Sequence, residues 1–274
     1  MTDVDKIAAY YDEKVLEEYR RLTISPLHEA EFVLTTDLLQ EYIRPNTHVL
    51  DVGSGPGKYA EYLIQAQDCQ VGLVDISEKA LEEFKTRILP NQRKNVLFTT
   101  KASATNLDFL PDCSFDHVLL MGPLYHLLEE QERERSLTEC NRALKTGGMI
   151  FASYISPYIV IPRFLNEAFS LIENNEIVSK VVNQGLIESP LLSGFIDHYR
   201  CWPSQAKATM EIAGFETIRL RNLEGVGMFF RDQQKQALAE QNKKEAWFNI
   251  LRQTCENPDL LGATIHFLYV GRKL

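Results

Sequence analysis

Residues 49–57, Val-Leu-Asp-Val-Gly-Ser-Gly-Pro-Gly, run a short apolar strand into three glycines at alternate positions. A second apolar run, Val71-Gly-Leu-Val-Asp75, ends in a carboxylate. That pair suits a nucleotide-type cofactor. Gly53, Gly55 and Gly57 have no Cβ and take positive φ freely, so backbone can approach a ligand closely. The helix that follows turns its unpaired N–H groups toward the same point. Asp75 stands where one carboxylate can accept both hydroxyls of a ribose. Either half alone is a weak signal, and a tight strand-to-helix turn with no ligand is the alternative.

Spacing bears on which ligand. A dinucleotide turn wants G-x-G-x-x-G, its third glycine packing helix on strand. Counted from Gly53, that third position is Lys58, and the glycines run G-x-G-x-G behind Asp51. No pyrophosphate has to be cradled if the ligand is a nucleoside carrying an amino-acid tail. At this point the chain resembles the class I (Rossmann-like) S-adenosylmethionine-dependent methyltransferases, small-molecule type. Their first motif is D/E-x-G-x-G-x-G, and Asp51 to Gly57 match every fixed position. Residues 71–81 look like the second motif, 102–126 like the third and fourth, and Arg142-Ala-Leu-Lys-Thr-Gly-Gly like the family's R-x-L-K-P-G-G. Pro203 to Phe215 is similar to its penultimate helix. The likeness is strongest over about 45–155 and thin over 156–200 and 222–262.

The elements that must position these residues follow from periodicity. Strands are expected at 48–52, 71–75, 96–100, 116–121 and 149–154, with helices at about 57–66, 78–88 and 129–145. Ser77 is a candidate N-cap. The Gly147-Gly148 pair should stop the third of these helices. Alternating β and α elements imply an α/β fold with a doubly wound, mostly parallel sheet. Further helices are expected at Val4 to Arg20, His28 to Tyr42 and Pro203 to Gly214. Strands are expected at 215–221 and 264–271. The resemblance makes the sheet seven-stranded, its last two strands forming an antiparallel C-terminal hairpin, with helical insertions as a cap. It implies one domain over 1–274, with an N-terminal helical lid at 1–44 and cap insertions at 156–200 and 222–262. The stretch 231–255 reads as one polar helix with Trp247, Ile250 and Leu251 on one side.

In such a sheet ligands sit beyond the carboxyl ends of the strands, where each motif falls. The resemblance assigns cofactor contacts to Asp51, Gly53, Ser54, Gly55, Gly57, Asp75, Ile76, Ser103, Ala104, Met121 and Gly122. Asp75 takes the ribose and Ile76 one adenine face. Ser103 occupies the slot where the family commonly has an acidic residue for the adenine amino group, a weaker element there. The cofactor implied is S-adenosylmethionine, and the reaction an in-line methyl transfer. Such a transfer mainly needs the nucleophile, methyl carbon and sulfur held in line. A base is needed only when the acceptor must lose a proton.

His126, in Gly-Pro-Leu-Tyr-His, is the first candidate base, since a neutral imidazole can take a proton; capping the next helix is its plain alternative. Tyr11 from the lid and His198 before the penultimate helix are the other catalytic candidates. Tyr19, Tyr125, Tyr154 and Tyr199 are candidate acceptor contacts. The apolar, aromatic stretch 155–172 and Gly225-Val-Gly-Met-Phe-Phe230 are candidate pocket walls, with extra core or a dimer contact as the alternative. His28, His48, His117 and His266 read as structural.

Composition narrows the partners. The 274 residues are 45% hydrophobic and 24% charged, as in ordinary globular proteins. A net charge of −9 with no long basic cluster argues against a nucleic-acid partner. The Asn/Asp-Pro-Pro-Tyr motif of enzymes methylating base amines is absent; the equivalent position reads Met121-Gly-Pro-Leu. Five cysteines show no zinc spacing, so no metal is expected, and they read as reduced thiols of a cytoplasmic protein. No run is long enough to span a bilayer. The expected acceptor is therefore a small, partly apolar molecule, with a homodimer possible. Methylation of RNA or protein, a dinucleotide-dependent oxidoreductase and a non-catalytic nucleoside sensor are the competing readings.

Overall fold

The computed structural model describes residues 3–166, 169–187, 198–229, 236 and 238–274. Seven strands form one sheet: β1 His48–Val52, β2 Gln70–Asp75, β3 Val96–Lys101, β4 Phe115–Leu120, β5 Leu144–Ile155, β8 Phe215–Asn222 and β9 His266–Lys273. Two short strands, β6 Leu186–Ile187 and β7 His198–Tyr199, pair separately as an antiparallel ribbon. The sheet order is β3-β2-β1-β4-β5-β9-β8. Strands β1 to β5 are parallel, and β9 runs antiparallel between β5 and β8. The strand order reverses between β1 and β4, which opens a crevice at their carboxyl ends.

Parallel strands covered on both faces read as continuous apolar runs, and these do. Val49, Leu119 and Phe151 belong to one core. Their neighbours Leu50, Val118, Leu120 and Ile150 belong to the other. The first core is closed by helices α3 Pro26–Tyr42, α4 Lys58–Gln67, α5 Glu78–Arg87 and α11 Gln241–Thr254. The second is closed by α6 Pro123–His126, α7 Glu130–Ala143 and α10 Pro203–Ile212. Ser77 caps α5, accepting from the Ala80 N–H at 3.1 Å. Ser25 and Pro26 open α3 in the same manner.

Local departures from expectation have local causes. The first helix is two, α1 Asp3–Glu13 and α2 Val15–Arg21, because Lys14 leaves the helical region at φ −114°, ψ 18°. Helix α7 stops at Ala143, before the glycine pair: Leu144 is recruited to pair with Phe115 at the start of β5. Lys145 is then tied to Asp116 at 2.7 Å. Helix α11 buries Phe248 and Leu251 and leaves Ile250 half exposed; of the expected span, 238–240 form a turn rather than helix, and 231–235 and 237 lie outside the described residues. The insertion after β5 contributes α8 Val160–Asn166 and α9 Asn175–Ser179, and Val160, Phe164 and Val181 form a small core of their own. No helix among the described residues is long and apolar enough to cross a membrane.

Phe84 is fully buried beneath the glycine turn, where a Cβ on Gly57 would lie 2.3 Å from its ring. Phe84→Ala should therefore cost about 3–5 kcal/mol, read as a lower urea midpoint at unchanged slope. A loss below about 1 kcal/mol would mean the ring does not fill that face.

Candidate functional site

The glycine turn is built by hydrogen bonds across the sheet. The Gly53 and Ser54 N–H groups donate to the Val74 carbonyl at 2.8 and 3.2 Å, tying the end of β1 to β2. Gly53 has φ 71° and is covered by Pro123: a Cβ there would sit 2.4 Å from the proline Cγ. Gly55 is the open position; a Cβ added to it would meet nothing nearer than Glu18 Cγ at 4.0 Å. One crevice is lined by Asp51, Gly53, Ser54, Gly55, Asp75, Ile76, Ser103, Ala104, Met121 and Gly122. Gly57 is a correction. It does not line the crevice; its left-handed φ of 75° starts α4 and its face packs on Phe84.

Two buried carboxylates dominate the electrostatics. Asp75 accepts from the Gly55 N–H on Oδ2 and the Ser77 N–H on Oδ1, both at 2.7 Å. Burial lifts its pKa to about 6 despite those two donors. Asp51 lies at the end of the neighbouring strand. Burial first, and the Asp75 charge second, raise its pKa to about 7, and its Oδ2 has no hydrogen-bond partner among the described residues. Glu18 also lines the crevice, and Asp12 accepts from the Ser77 hydroxyl at 2.5 Å. Ser103 faces the crevice, but its Oγ already accepts from the Thr105 N–H and shares a 2.8 Å hydrogen bond with the Thr105 hydroxyl.

Helices α1 and α2 form the roof. Ile7, Tyr11 and Val15, spaced for one helical face, line the crevice rather than a closed core, with Val4, Glu18, Arg21 and Leu22. The apolar spacing was visible in the sequence, but nothing marked Glu18 and Arg21 on the same face. Arg21 donates from Nε to Glu18 at 2.8 Å and from both terminal nitrogens to Glu31 at 2.5 and 3.0 Å. Glu31 lies 3.6 Å from His266, which is 2.7 Å from Glu224. Burial would push Glu31 up, but Arg21 and His266 beside it hold it below the usual carboxylate range. Tyr19 is a correction: it turns away from the crevice, donates to Glu61 at 2.7 Å and lies under the Arg87 guanidinium.

At the far end the one-turn helix α6 brings Pro123, Tyr125 and His126 to the wall. Tyr11 Oη and His126 Nε2 share a 2.7 Å hydrogen bond. Burial lowers the His126 pKa to about 4 and raises that of the Tyr11 phenol, so both are neutral near pH 7. His198 does not reach the crevice; its ring packs behind His126 at 6.1 Å and 25°. Tyr154 and Tyr199 are also corrections. They line a separate cavity between α7 and α10, Tyr154 stacking on Phe267 at 5.4 Å. The described parts of 155–172 and 225–229 do not line the crevice either; Gly225 packs on Leu251. Residues 167–168 and Phe230 lie outside the described residues.

Fold and site together define a class: an open α/β domain that takes a nucleoside cofactor across the carboxyl ends of β1 to β4. Comparison with known proteins narrows it. Residues 49–148 match the profile of the family described as methyltransferase domain. The chain is 31% identical over 118 residues to the eEF1A lysine and N-terminal methyltransferase of Mus musculus, covering 41% of this chain but only 16% of that protein. It is 28% identical over 228 residues to the ubiquinone/menaquinone biosynthesis C-methyltransferase UbiE of Rickettsia massiliae, covering 80% of this chain and 85% of that one. A putative S-adenosylmethionine dependent methyltransferase from Listeria monocytogenes shares the fold with a TM-score of 0.60 at 16% identity, covering 90% of this chain and 99% of that one. Together the domain match, the long relative and the shared fold support a class I S-adenosylmethionine-dependent methyltransferase, and the dinucleotide reading is set aside.

The residues present fit that cofactor. An unpartnered, buried carboxylate oxygen on Asp51 asks for a cationic donor, and an amino-acid ammonium is one. Asp51, Asp75 and Glu18 give the crevice a negative field that suits a ligand bearing an ammonium and a sulfonium.

Without ligand the site carries a stability cost with a defined sign. Unfolded, Asp51 titrates at roughly 3.9; folded and ligand-free, at about 7. The folded state therefore holds the extra proton, and stability from this group is lost as pH rises through about 7. Asp51→Asn should raise the melting temperature of the ligand-free protein at pH 8 by several degrees and by roughly a third as much at pH 5, where only the unfolded carboxylate is ionised. It should also weaken S-adenosylhomocysteine binding. A lower melting temperature at pH 8 would contradict the buried-charge account.

Proposed function

We propose that this enzyme transfers the sulfonium methyl of S-adenosylmethionine to a small, partly apolar acceptor held under α1 and α2, beside Tyr125 and His126. One observation carries the reading: the crevice wall includes Val4, Ile7, Tyr11, Tyr125 and Leu127, with the neutral His126 imidazole among them. Such a wall suits a flat or aliphatic molecule carrying one ionisable group. The long match to a ubiquinone/menaquinone biosynthesis C-methyltransferase, against a short match to a protein methyltransferase, supports the same side.

S-adenosylmethionine supplies an electrophilic methyl already activated by positive charge. The chain's residues supply position. Asp75 and the Gly55 backbone would hold the ribose end, Asp51 the ammonium, and Met121 and Gly122 the methionine end, leaving the sulfonium methyl open to in-line attack by the acceptor. When the nucleophile is a hydroxyl, its proton passes to His126, which Tyr11 holds in orientation. His126 owes its low pKa to burial. It therefore acts as a weak base, matched to an acceptor that turns acidic as the new bond forms.

A polypeptide acceptor is the second reading, favoured by the protein methyltransferase match. Acceptor screening with methyl-labelled cofactor separates the two. Label is expected in small phenolic, enolic or quinol acceptors; label in polypeptide alone would overturn the proposal. With any such acceptor, His126→Gln should lower kcat by about 100-fold while S-adenosylhomocysteine affinity changes less than about threefold. Unchanged kcat would remove His126 from the chemistry.

A further inference from the structure

Helix α6 is a single turn, Pro123–His126, and one turn of helix does not support itself. Yet it presents both Tyr125 and His126 to the crevice. Its first end is pinned by Pro123 against Gly53 and by the fully buried Leu124. The chain leaving its last end is tied down by Arg133, whose Nη1 donates to the Leu127 and Leu128 carbonyls, each at 2.7 Å.

The same guanidinium lies 3.6 Å from the centre of the Tyr199 ring. A planar cation on an aromatic face is a favourable stack that lysine does not reproduce. Tyr199 belongs to ribbon strand β7, whose other residue is His198. His198 is buried and packs its ring behind His126. The contacts close a loop: His126 to the Leu127 and Leu128 carbonyls, to Arg133, to Tyr199, to His198, and back to His126. Among the described residues, Tyr11 on α1, Tyr125 on α6 and His198 on β7 are the titratable groups in ring contact with His126.

We propose that Arg133 is a positioning residue for methyl transfer: it ties down the Leu127–Leu128 segment that follows His126 and holds the ribbon that backs the imidazole, so the ring stays dry and aimed at Tyr11. The inference rests on the reading of His126 as the polar group facing the acceptor, but its claim concerns the ring's environment. It gives the insertion after β5 a role as a brace behind the site, in place of a pocket wall.

The test is the titration of His126 in the full chain, followed by nitrogen-15 NMR of the imidazoles and assigned by the signal lost in His126→Gln. In the wild-type chain the ring should stay neutral down to about pH 5. In Arg133→Ala its midpoint should rise by one to two pH units, toward the roughly 6.5 of a hydrated histidine. Guanidinium ion at tens of millimolar should restore the low midpoint. Arg133→Lys should fall between, since it keeps a donor and loses the stack. S-adenosylhomocysteine affinity should change less than about threefold, because Asp51, Asp75 and the glycine turn are untouched. A purely structural arginine would lower the melting temperature and leave the midpoint where it was, and that result overturns the proposal. Should Arg133→Ala not fold, Tyr199→Leu decides in the same way: a raised midpoint supports the brace, an unmoved one removes it. Loss of the catalytic reading shows separately, as a His126→Gln enzyme with unchanged kcat.

Discussion

Two aspartates buried side by side at the ends of neighbouring parallel strands constrain the rest of this molecule. Removing a carboxylate from water is costly unless something replaces the lost hydration. Backbone N–H groups do so for Asp75. Asp51 has no such donor on Oδ2, and its ionisation is suppressed in the ligand-free crevice. The glycine turn is the geometric counterpart of this arrangement. It folds the end of β1 back on the Val74 carbonyl, presents the Gly55 N–H to Asp75, and leaves open space over Gly55. The binding site is thus an unfinished hydrogen-bond network, completed by a cationic nucleoside ligand.

The roof over that network is held at a distance from the chemistry. Arg21 reaches from α2 to Glu31 on α3, and Glu31 is flanked by His266, which is fixed by Glu224 and the end of β9. Glu224 in turn accepts from the Thr264 hydroxyl and the His266 N–H. The start of β9 therefore orients the N-terminal helices. Breaking one member of such a buried set leaves a charge without compensation, so the set acts as a unit. Under the proposed function the acceptor end has its own brace, in Arg133 and the β6–β7 ribbon. Cofactor and acceptor contacts would then depend on different supports.

What could be read from the sequence is what depends on local pattern. Asp51 to Gly55 and Asp75 were readable because strand, turn and carboxylate lie within short reach, and parallel strands leave continuous apolar runs. The face Ile7–Tyr11–Val15 was readable as a face, but whether it covers a core or a crevice depends on the bend at Lys14. Gly57 misled because a glycine can serve backbone geometry or ligand approach, and only Phe84 beneath it decides. Tyr19, Tyr154, Tyr199 and His198 sat at plausible places along the chain, yet side chains one residue apart on a strand or helix point to different surfaces. Glu18, Arg21 and Glu31 carried no sequence mark at all. Their meaning comes from a network whose other half, Glu224 and His266, lies near the end of the chain.

The central claim is that ligand binding completes the charge of a partly protonated aspartate pair. Calorimetric titration of the protein with S-adenosylhomocysteine, in buffers of differing ionisation enthalpy, counts the protons exchanged. At pH 6–7 the wild-type chain should release on the order of half a proton to one proton per ligand bound, given folded pKa values of about 7 and about 6 for the pair. Asp51→Asn should release distinctly less. Proton uptake, or the same release from the Asp51→Asn protein, would contradict the account.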